Sequence, residues 1–341
     1  MAATLACTVV SGCHEREAHT GWEKSPANPV LGGALGTCFD VCVLKLGTRY
    51  RMYFSWRPRK SIAIVESNDG IHWEIPADGP RIVLGPSAET QWEGDINRPT
   101  IVQVGETYHL WYTGQTKTNS AIGHAVSKDG LVWTRANGRN GAPVLTPLLP
   151  WEGVDVMTPD VLWEPEEKLF KMWYSAGEQY EPNAIGYATS TDGQVWSRNE
   201  RAPIFAADPQ HTWEKERVTA PCIVKDGGYY YAFYIGFKDI QTAAIGVARS
   251  RDGITNWERY RQNPIVRPPV PNDASQFLDD HLWKRHRWGH RFEQEHAWDG
   301  DACYRPSVLH ERGRWMLWYN GRRGTVEQIG VAIHRGDDLG F

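Results

Sequence analysis

The sequence lacks an excess of either charge, long apolar runs and paired cysteine motifs. Its 341 residues carry a formal net charge of −4, which removes the electrostatic footprint of a nucleic-acid-binding protein. No apolar run approaches the roughly 18 residues that a membrane-spanning helix needs. The six cysteines include no Cys-x-x-Cys pair, so neither a zinc site nor a disulfide framework is indicated. We therefore expect a cytoplasmic protein that binds neither nucleic acid nor membrane.

What the sequence contains instead is a turn motif that recurs at a fixed period. Ser-x-Asp-Gly followed by Trp occurs four times, with successive serines 60, 63 and 60 residues apart. A fixed period is typical of a repeat architecture. Asp-Gly supplies the positive-φ turn between a third strand and an outer strand, and the Trp packs the outer strand onto the sheet. The four motifs begin at Ser67, Ser127, Ser190 and Ser250.

Each turn is preceded by three short runs rich in β-branched and aromatic residues, which predict strands. Matching runs recur in five units. With the outer strand, each unit has four antiparallel strands, and four-stranded sheets repeated radially are the blades of a β-propeller. We therefore predict an all-β, five-bladed β-propeller in a single domain over residues 1–341. Its blades occupy residues 37–84, 95–146, 155–206, 216–267 and 301–337.

The fifth unit ends before a fourth strand is reached. A candidate for the missing strand lies at the start of the chain, where residues 21–31 are similar to residues 256–266 of the fourth unit. We therefore predict that the N-terminal segment, residues 5–31, supplies the outer strand of the last blade and closes the ring.

A second repeated motif places an acid just before each inner strand. Trp92-Glu-Gly-Asp95 is one copy, and Pro99 opens the inner strand four residues later. Because inner strands line the channel of a propeller, we expect these acids to converge on one mouth, where like charges perturb their pKa values. Alternatively, they only hydrogen-bond backbone N–H groups between blades. The acids are Asp40, Asp95, Asp155, Glu216 and Asp301, with Asp160 close by and with Arg98 and Arg305 placed to compensate their charge.

The repeats resemble those of the five-bladed β-propeller glycoside hydrolases, the superfamily of families 43, 32, 68, 62 and 130. Segments such as RPTIVQVGETYHLWYTG and APCIVKDGGYYYAFYIG carry this resemblance, which spans nearly the whole chain. Family 43 implies an Asp base before the first inner strand, a pKa-tuning Asp before the third, and a Glu acid two residues before a Pro on the fourth. Asp40 fits the base position, whereas Thr158 and Thr219 stand at the other two.

The resemblance implies glycoside hydrolysis by paired carboxylates, which we expect to proceed with inversion. In this scheme Asp40 is the base, Glu216 is the acid, and Asp155 tunes their pKa values. No cofactor is required, and a structural Ca²⁺ in the channel is an alternative because carboxylates suit calcium. Contacts to the small-molecule or oligosaccharide substrate are assigned to Asp95, Arg98, Asp160, Asp301 and Arg305.

An insertion separates the last two units. Residues 272–296 lengthen the spacing between third strands from about sixty residues to 84. Long insertions in compact domains are often functional, so we predict a short helix or a lid over the channel mouth. His286 and His290 have i,i+4 spacing, but no acid-flanked metal motif accompanies them, so we predict no metal site. Trp283, Trp288 and His286 are the predicted substrate contacts of this segment.

Three alternatives to hydrolysis fit the same residues. A phosphorylase or transferase of the family 130 type would use Arg98, Arg305 and Arg285 to hold phosphate or an anionic sugar. The threonines at two acidic positions also fit a propeller that binds a saccharide without cleaving it. Recruitment of the scaffold by a biosynthetic pathway for another metabolite is the third alternative, because fold does not fix function.

Overall fold

The protein folds almost entirely into antiparallel β-sheet. The computed structural model describes residues 20–180, 182–269, 297–311 and 313–341. Helical structure in these ranges is confined to four 3-10 turns, at Gly33–Leu35, Arg57–Arg59, Arg139–Gly141 and Pro150–Glu152. No helix in the same ranges is long and apolar enough to cross a membrane. The predicted all-β class is confirmed.

The strands of the described ranges are numbered in chain order. They are β1 (Trp22–Lys24), β2 (Cys38–Leu46), β3 (Arg49–Trp56), β4 (Ser61–Ser67), β5 (Trp73–Glu74), β6 (Arg81–Leu84), β7 (Asp95–Val104), β8 (Thr107–Gln115), β9 (Ser120–Ser127), β10 (Thr134–Arg135), β11 (Asp155–Glu164), β12 (Leu169–Gly177), β13 (Ala184–Ser190), β14 (Ser197–Arg198), β15 (Phe205–Ala206), β16 (Arg217–Asp226), β17 (Tyr229–Asp239), β18 (Thr242–Ser250), β19 (Glu258–Arg259), β20 (Ala302–Glu311), β21 (Arg314–Arg323) and β22 (Val326–Arg335).

Strand pairing divides the described chain into five antiparallel units of similar build. Unit 1 runs β2-β3-β4, with β5 and β6 both paired to β4, and unit 2 runs β7-β8-β9-β10. Unit 3 runs β11-β12-β13, with β14 and β15 both paired to β13, and unit 4 runs β16-β17-β18-β19. Unit 5 runs β20-β21-β22-β1. Single parallel bridges, Asp155 to Ser120 and Ala243 to Ala302, join units 2 and 3 and units 4 and 5.

The last unit takes its outer strand from Trp22–Lys24, within the predicted segment 5–31, of which residues 5–19 lie outside the described residues. Strand β1 pairs antiparallel with β22, with Trp22 opposite His334. The chain then passes Leu31, which bridges Ile329 of the same unit before unit 1 begins. Apolar side chains of units 1 and 5 share one core cluster. The two ends of the repeat array therefore pack against each other.

The repeated Ser-x-Asp-Gly motif forms the turn between the third and outer strands of units 1 to 4. In unit 2, Ser127 Oγ accepts the N–H of Gly130 at 2.9 Å, and Asp129 Oδ1 accepts the N–H groups of Leu131 and Val132 at 2.8 and 2.9 Å. Gly130 has a φ of 69°, where any side chain would be strained. The same contacts recur in the other three turns. A local hydrogen-bond network thus explains the motif.

An aromatic side chain from the preceding unit holds each of these turns. The indole N–H of Trp318 in unit 5 donates to the carbonyl oxygen of Gly70 in unit 1 at 2.8 Å. The hydroxyl of Tyr53 donates to the turn of unit 2 at 2.8 Å, and the indoles of Trp111 and Trp173 donate to the turns of units 3 and 4 at 2.9 and 2.7 Å. Buried donors require acceptors, so these bonds fix each unit against its neighbour.

The first strand of each unit contacts the first strands of both neighbouring units, so the five inner strands surround a channel. Side chains on these strands accept backbone N–H groups from the next unit. Asp160 Oδ2 accepts the N–H of Ile223 at 2.7 Å, and Cys222 Sγ accepts one from unit 5 at 3.3 Å. Ser307 Oγ of unit 5 accepts the N–H of Val43 in unit 1 at 3.1 Å. The inner strands are therefore linked across the seam where the repeats meet.

Candidate active site

Every inner strand carries a bulge near its N-terminal end. Its register against the second strand shifts there, and one residue other than glycine adopts a left-handed φ of 50–58°. L-residues enter this region at a cost of about 1–2 kcal/mol, and such outliers cluster at functional sites. All five residues line one pocket: they are Asp40, Arg98, Thr158, Ala220 and Arg305.

Hydrogen bonds from the neighbouring unit hold the strained backbone in place. Asn320 Oδ1 accepts the N–H of Asp40 at 2.9 Å, and the Asn320 amide donates to Asp40 Oδ1 at 3.2 Å. This single side chain therefore fixes both the backbone and the carboxyl group of Asp40. In units 2, 3 and 4 the N–H of the bulge residue donates to a hydroxyl on the second strand of the preceding unit, at 2.7–3.0 Å. The three hydroxyls belong to Ser55, Thr113 and Ser175.

The pocket has a volume of about 520 Å³ and lies at one end of the channel. This size suits a small-molecule ligand. Its charged lining comprises six cations and three acids, so the lining is cationic overall. The cations are Arg57, Lys60, Arg98, Lys117, Arg305 and Arg322, and the acids are Asp40, Asp95 and Glu327.

Asp40 is the most deeply buried acid of this lining, with 3% of its surface exposed. Arg98 Nε lies 3.4 Å from Asp40 Oδ2, and Arg305 Nε lies 3.5 Å from Oδ1. Burial lowers the pKa of the Arg305 guanidinium, and the charge of Asp40 opposes that change. Asp40 Oδ2, Arg305 Nε and Thr219 Oγ1 make no hydrogen bond within the described residues. Since buried polar groups are normally satisfied, three such atoms on residues that line one pocket mark it as a candidate site.

Of the other predicted acids, Asp95 lines the pocket and Asp155 lies behind it. Asp95 begins β7, and its Oδ1 accepts the amide of Asn97 at 3.3 Å. Asp155 begins β11 and is fully buried, and its Oδ2 accepts the N–H of Tyr180 at 3.0 Å. Burial raises the pKa of the Asp155 carboxyl, and the charge of Arg98 opposes that rise. Asp155 is therefore coupled electrostatically to the pocket although it does not line it.

The structure does not bring Glu216 and Asp301 to this pocket. Glu216 is exposed just before β16, whose contributions to the lining are Thr219 and Ala220. Asp301 accepts the N–H of Gly324 at 2.6 Å, within the loops of its own unit. Side chains alternate along a strand, and Glu216 and Asp301 precede the bulge residues of their strands by four positions, whereas Asp95 precedes Arg98 by three, so they do not share the face of Asp95. The expected convergence of all the acids on one mouth is not observed.

Asp160 lies beyond the bulge, in a second cavity of about 610 Å³ further along the channel. Its carboxyl is enclosed by the inner strands. Burial raises the pKa of Asp160 to about 7, against the opposing effects of the Ile223 hydrogen bond and the charge of Arg305. Arg305 lines both cavities and stands between Asp160 and the pocket of Asp40. The predicted substrate contact of Asp160 therefore has no place in the pocket of Asp40.

The first acid of each repeated Trp-Glu or Trp-Asp motif has a structural role. In unit 3, Arg198 Nε of the outer strand lies 2.9 Å from Glu152 Oε1, and the Tyr174 hydroxyl donates to the same oxygen at 2.6 Å. Because a buried charge without its partner is costly, the pair ties the entry loop to the outer strand. The equivalent acids of units 2, 3, 4 and 5, each 0–3% exposed, are Glu93, Glu152, Glu214 and Asp299.

Several pocket residues escaped the predictions from sequence. Arg57, Lys60, Lys117 and Arg322 of the lining, and Asn320, which holds Asp40, do not belong to the repeated acid motif. The cations lie at or near the hairpins between the second and third strands of units 1, 2 and 5. The signal that could have found them is positional, because equivalent hairpins of a radial repeat surround one mouth.

Trp283, Trp288, His286 and the rest of the insertion at 272–296 lie outside the described residues. The lid and its substrate contacts stay predictions. Over the ranges that the structure describes, no group of three or more His, Cys, Asp or Glu side chains is arranged to hold a metal ion.

Five antiparallel repeat units around a channel, with a buried carboxylate between arginines at one end, form a propeller-type fold. The family model "Glycosyl hydrolases family 43" matches residues 26–282. The chain belongs to this family.

The relatives of the chain include proteins with and without a named activity. It is 25% identical over 308 residues to "Uncharacterized protein MT1551" of Mycobacterium tuberculosis (strain CDC 1551 / Oshkosh), covering 84% of this chain and 88% of that protein. It is 25% identical over 234 residues to "Beta-1,2-mannobiose phosphorylase" of Thermoanaerobacter sp. (strain X514), covering 56% of this chain and 74% of that protein. A crystal structure of a thermostable family-43 glycoside hydrolase superposes with a TM-score of 0.63 at 17% identity, covering 89% of this chain and 91% of that chain, a likeness of fold alone.

Proposed function

We propose that the five units close into a five-bladed β-propeller that forms a single domain over residues 1–341. Three kinds of contact support closure. The inner strands of units 1 and 5 touch, Trp318 of unit 5 holds the turn at Gly70 of unit 1, and Ser307 accepts the N–H of Val43. A closed ring protects the edges of its sheets, which an open array would expose.

We infer that the protein hydrolyses a glycosidic bond in the pocket around Asp40. The observation that carries this proposal is the setting of Asp40 itself. Its carboxyl group is buried, Oδ1 is held by Asn320 and faces Arg305, and Oδ2 makes no hydrogen bond within the described residues. A carboxyl group that is held in place in the lining of a pocket is positioned as a general base requires. Family membership supports the reaction class.

In the proposed reaction Asp40 Oδ2 takes a proton from the water that attacks the anomeric carbon. Arg98 and Arg305 lie at ion-pair distance from Asp40, and Asn320 orients its carboxyl plane. A second carboxyl group protonates the leaving oxygen on the opposite side of the sugar, as inversion requires. The water-derived hydroxyl ends on the sugar, and the leaving group departs as an alcohol.

We propose Asp95 as that second carboxyl group in place of the predicted Glu216. Asp95 lines the pocket and has no cation within ion-pair distance among the described residues. Glu327, the remaining acid of the lining, is engaged by the Tyr304 hydroxyl and by Arg57 at 3.3 Å. A carboxyl group that is free of a cation can carry and deliver a proton.

Phosphorolysis is a second candidate, favoured by the cationic lining of the pocket. Phosphate as the attacking group needs no protein base, so that reaction requires one protein carboxyl group instead of two. Thr158 and Thr219, which stand where the family pattern has acids, fit this smaller requirement. One relative that matches about half of this chain is named a phosphorylase.

The experiment is product analysis with a panel of aryl glycosides and oligosaccharides, with and without inorganic phosphate. Hydrolysis predicts free reducing sugar at a rate independent of phosphate, and phosphorolysis predicts a sugar 1-phosphate whose yield requires it. Asp40→Asn should abolish hydrolysis, and Asp95→Asn should abolish either product, whereas Asp301→Asn, the same change at an acid outside the pocket, should abolish neither. Absence of cleavage, with a saccharide still raising the unfolding temperature, would instead identify a binding propeller.

A further inference from the structure

The positive charge of the pocket is unevenly compensated. Arg98 and Arg305 face Asp40 at ion-pair distance, and Asp155 and Asp160 act on them from further away. The charges at the deep end of the pocket are therefore balanced within the protein.

The rim of the pocket differs from its deep end. Arg57 is neutralised there by Glu327. Lys60, Lys117 and Arg322 have no acid within ion-pair distance among the described residues, and of the acids in the lining only Asp95 remains to offset them. The rim therefore carries an uncompensated positive charge.

The three rim cations lie on fixed backbone in three different units. The N–H of Lys60 donates to the carbonyl of Arg57 at 3.1 Å, and the Lys60 carbonyl accepts the N–H of Ile96 from unit 2 at 3.1 Å. Arg322 Nη2 of unit 5 donates to the Gln241 carbonyl of unit 4 at 2.7 Å, while its buried Nε makes no hydrogen bond within the described residues.

Lys117, the third cation, lies in the hairpin of unit 2 between β8 and β9. Its carbonyl accepts the side-chain amide of Gln179 from unit 3. Each of the three rim cations is therefore held by a hydrogen bond to a neighbouring unit.

We infer that the pocket binds a saccharide bearing an oxyanion substituent, a carboxylate, phosphate ester or sulfate ester, held at the rim by Lys60, Lys117 and Arg322. The saccharide part of this inference rests on the proposed function. The anion belongs to the substrate, since an anion at the deep end would face the carboxylate of Asp40. Cations without acidic partners at a concave rim attract such groups and speed their association.

The test is binding of matched neutral and anionic sugars: glucose, galactose and mannose, each compared with its uronate, 6-phosphate and 6-sulfate. Calorimetry and ligand-induced shifts in unfolding temperature report affinity at low and high salt. We expect one anionic member to bind about tenfold more tightly than its neutral counterpart, with most of the advantage lost at about 1 M salt. The variant Lys60→Gln/Lys117→Gln/Arg322→Gln should reduce the preference to about twofold. Lys45→Gln/Lys128→Gln, which changes two lysines outside the pocket, should retain it.

Each outcome of this binding test either supports or overturns the inference. Equal affinity for neutral and anionic sugars would overturn the inference, and so would inorganic phosphate binding as tightly as the phosphorylated sugars. If the triple variant folds poorly, the single changes Lys60→Gln and Lys117→Gln, both at exposed side chains, carry the test with about twofold effects each. An anion preference without cleavage would support this inference while the proposed hydrolysis fails, and cleavage without the preference would do the reverse.

Discussion

Acidification should destabilise the fold through a buried histidine pair in unit 2. His124 is 1% exposed, and its Nε2 lies 3.1 Å from Nδ1 of His109. Its ring stacks on Trp111 with centroids 4.8 Å apart, and its Nδ1 has no hydrogen-bond partner within the described residues. Burial, with a smaller effect from His109, lowers the pKa of His124 from 6.5 to about 3, while Asp192 opposes the shift.

The sign and size of the effect follow from proton linkage. Because the folded-state pKa of His124 is lower than its unfolded value, the unfolded chain binds the proton more readily. The contribution of His124 to stability is complete above pH 6.5 and falls as the pH decreases towards 3. Between pH 7 and pH 5 the loss is about 2 kcal/mol of unfolding free energy at 1.36 kcal/mol per pKa unit.

The assay is urea unfolding of the wild type and of His124→Asn at pH 7 and pH 5. Asparagine does not titrate, so the variant should lose about 2 kcal/mol less than the wild type over this interval. Comparison of pH dependences keeps the test valid even if the variant is less stable at both pH values. His72→Asn, at a side chain that is 80% exposed, serves as the control. Equal pH dependence in His124→Asn and the wild type would refute the reasoning.

Three further predictions concern the repeat framework and the pocket. Glu152→Ala leaves Arg198, whose side chain is 14% exposed, without its buried counter-charge and should cost about 3 kcal/mol, measured as a lower urea midpoint; an unchanged midpoint would contradict the structural role of the motif. Gly193→Ala forces a side chain onto a φ of 77° with a neighbouring indole atom 2.8 Å from the new Cβ, and should cost about 1–3 kcal/mol, whereas Ala at Gly227, where nothing lies nearby, should cost less. Asp95→Asn should lower kcat/KM by about 10²-fold and Glu216→Gln by less than about twofold; the reverse order would restore Glu216 as the acid.

The fold could be predicted because each repeat encodes its own geometry. Asp129 and Gly130 specify a turn through local hydrogen bonds, and the period-2 pattern of the flanking strands specifies which side chains are buried. Such contacts join residues that are close in the chain, so they can be predicted from a single sequence. The similarity of residues 21–31 to the fourth unit was enough to identify the outer strand of the last unit.

The site could be predicted only in part, because a shift of one residue reverses the face of a strand. Asp40 was identified since it occupies the bulge itself, as Arg98 and Arg305 do. Glu216 and Asp301 enter their strands before the bulge, and the sequence does not show where the register shifts. The rim cations depend on contacts between units that are distant in the chain, which no local pattern encodes.

The central claim, that Asp40 is the catalytic carboxylate, is tested most directly by chemical rescue. On a glycoside that the wild type cleaves, Asp40→Ala should lower kcat/KM by about 10³-fold. Sodium formate or azide, small anions that fit between Arg98 and Arg305, should restore a measurable part of the rate in Asp40→Ala and leave Asp301→Ala unaffected. Activity of Asp40→Ala within tenfold of the wild type, with no response to either anion, would contradict the account.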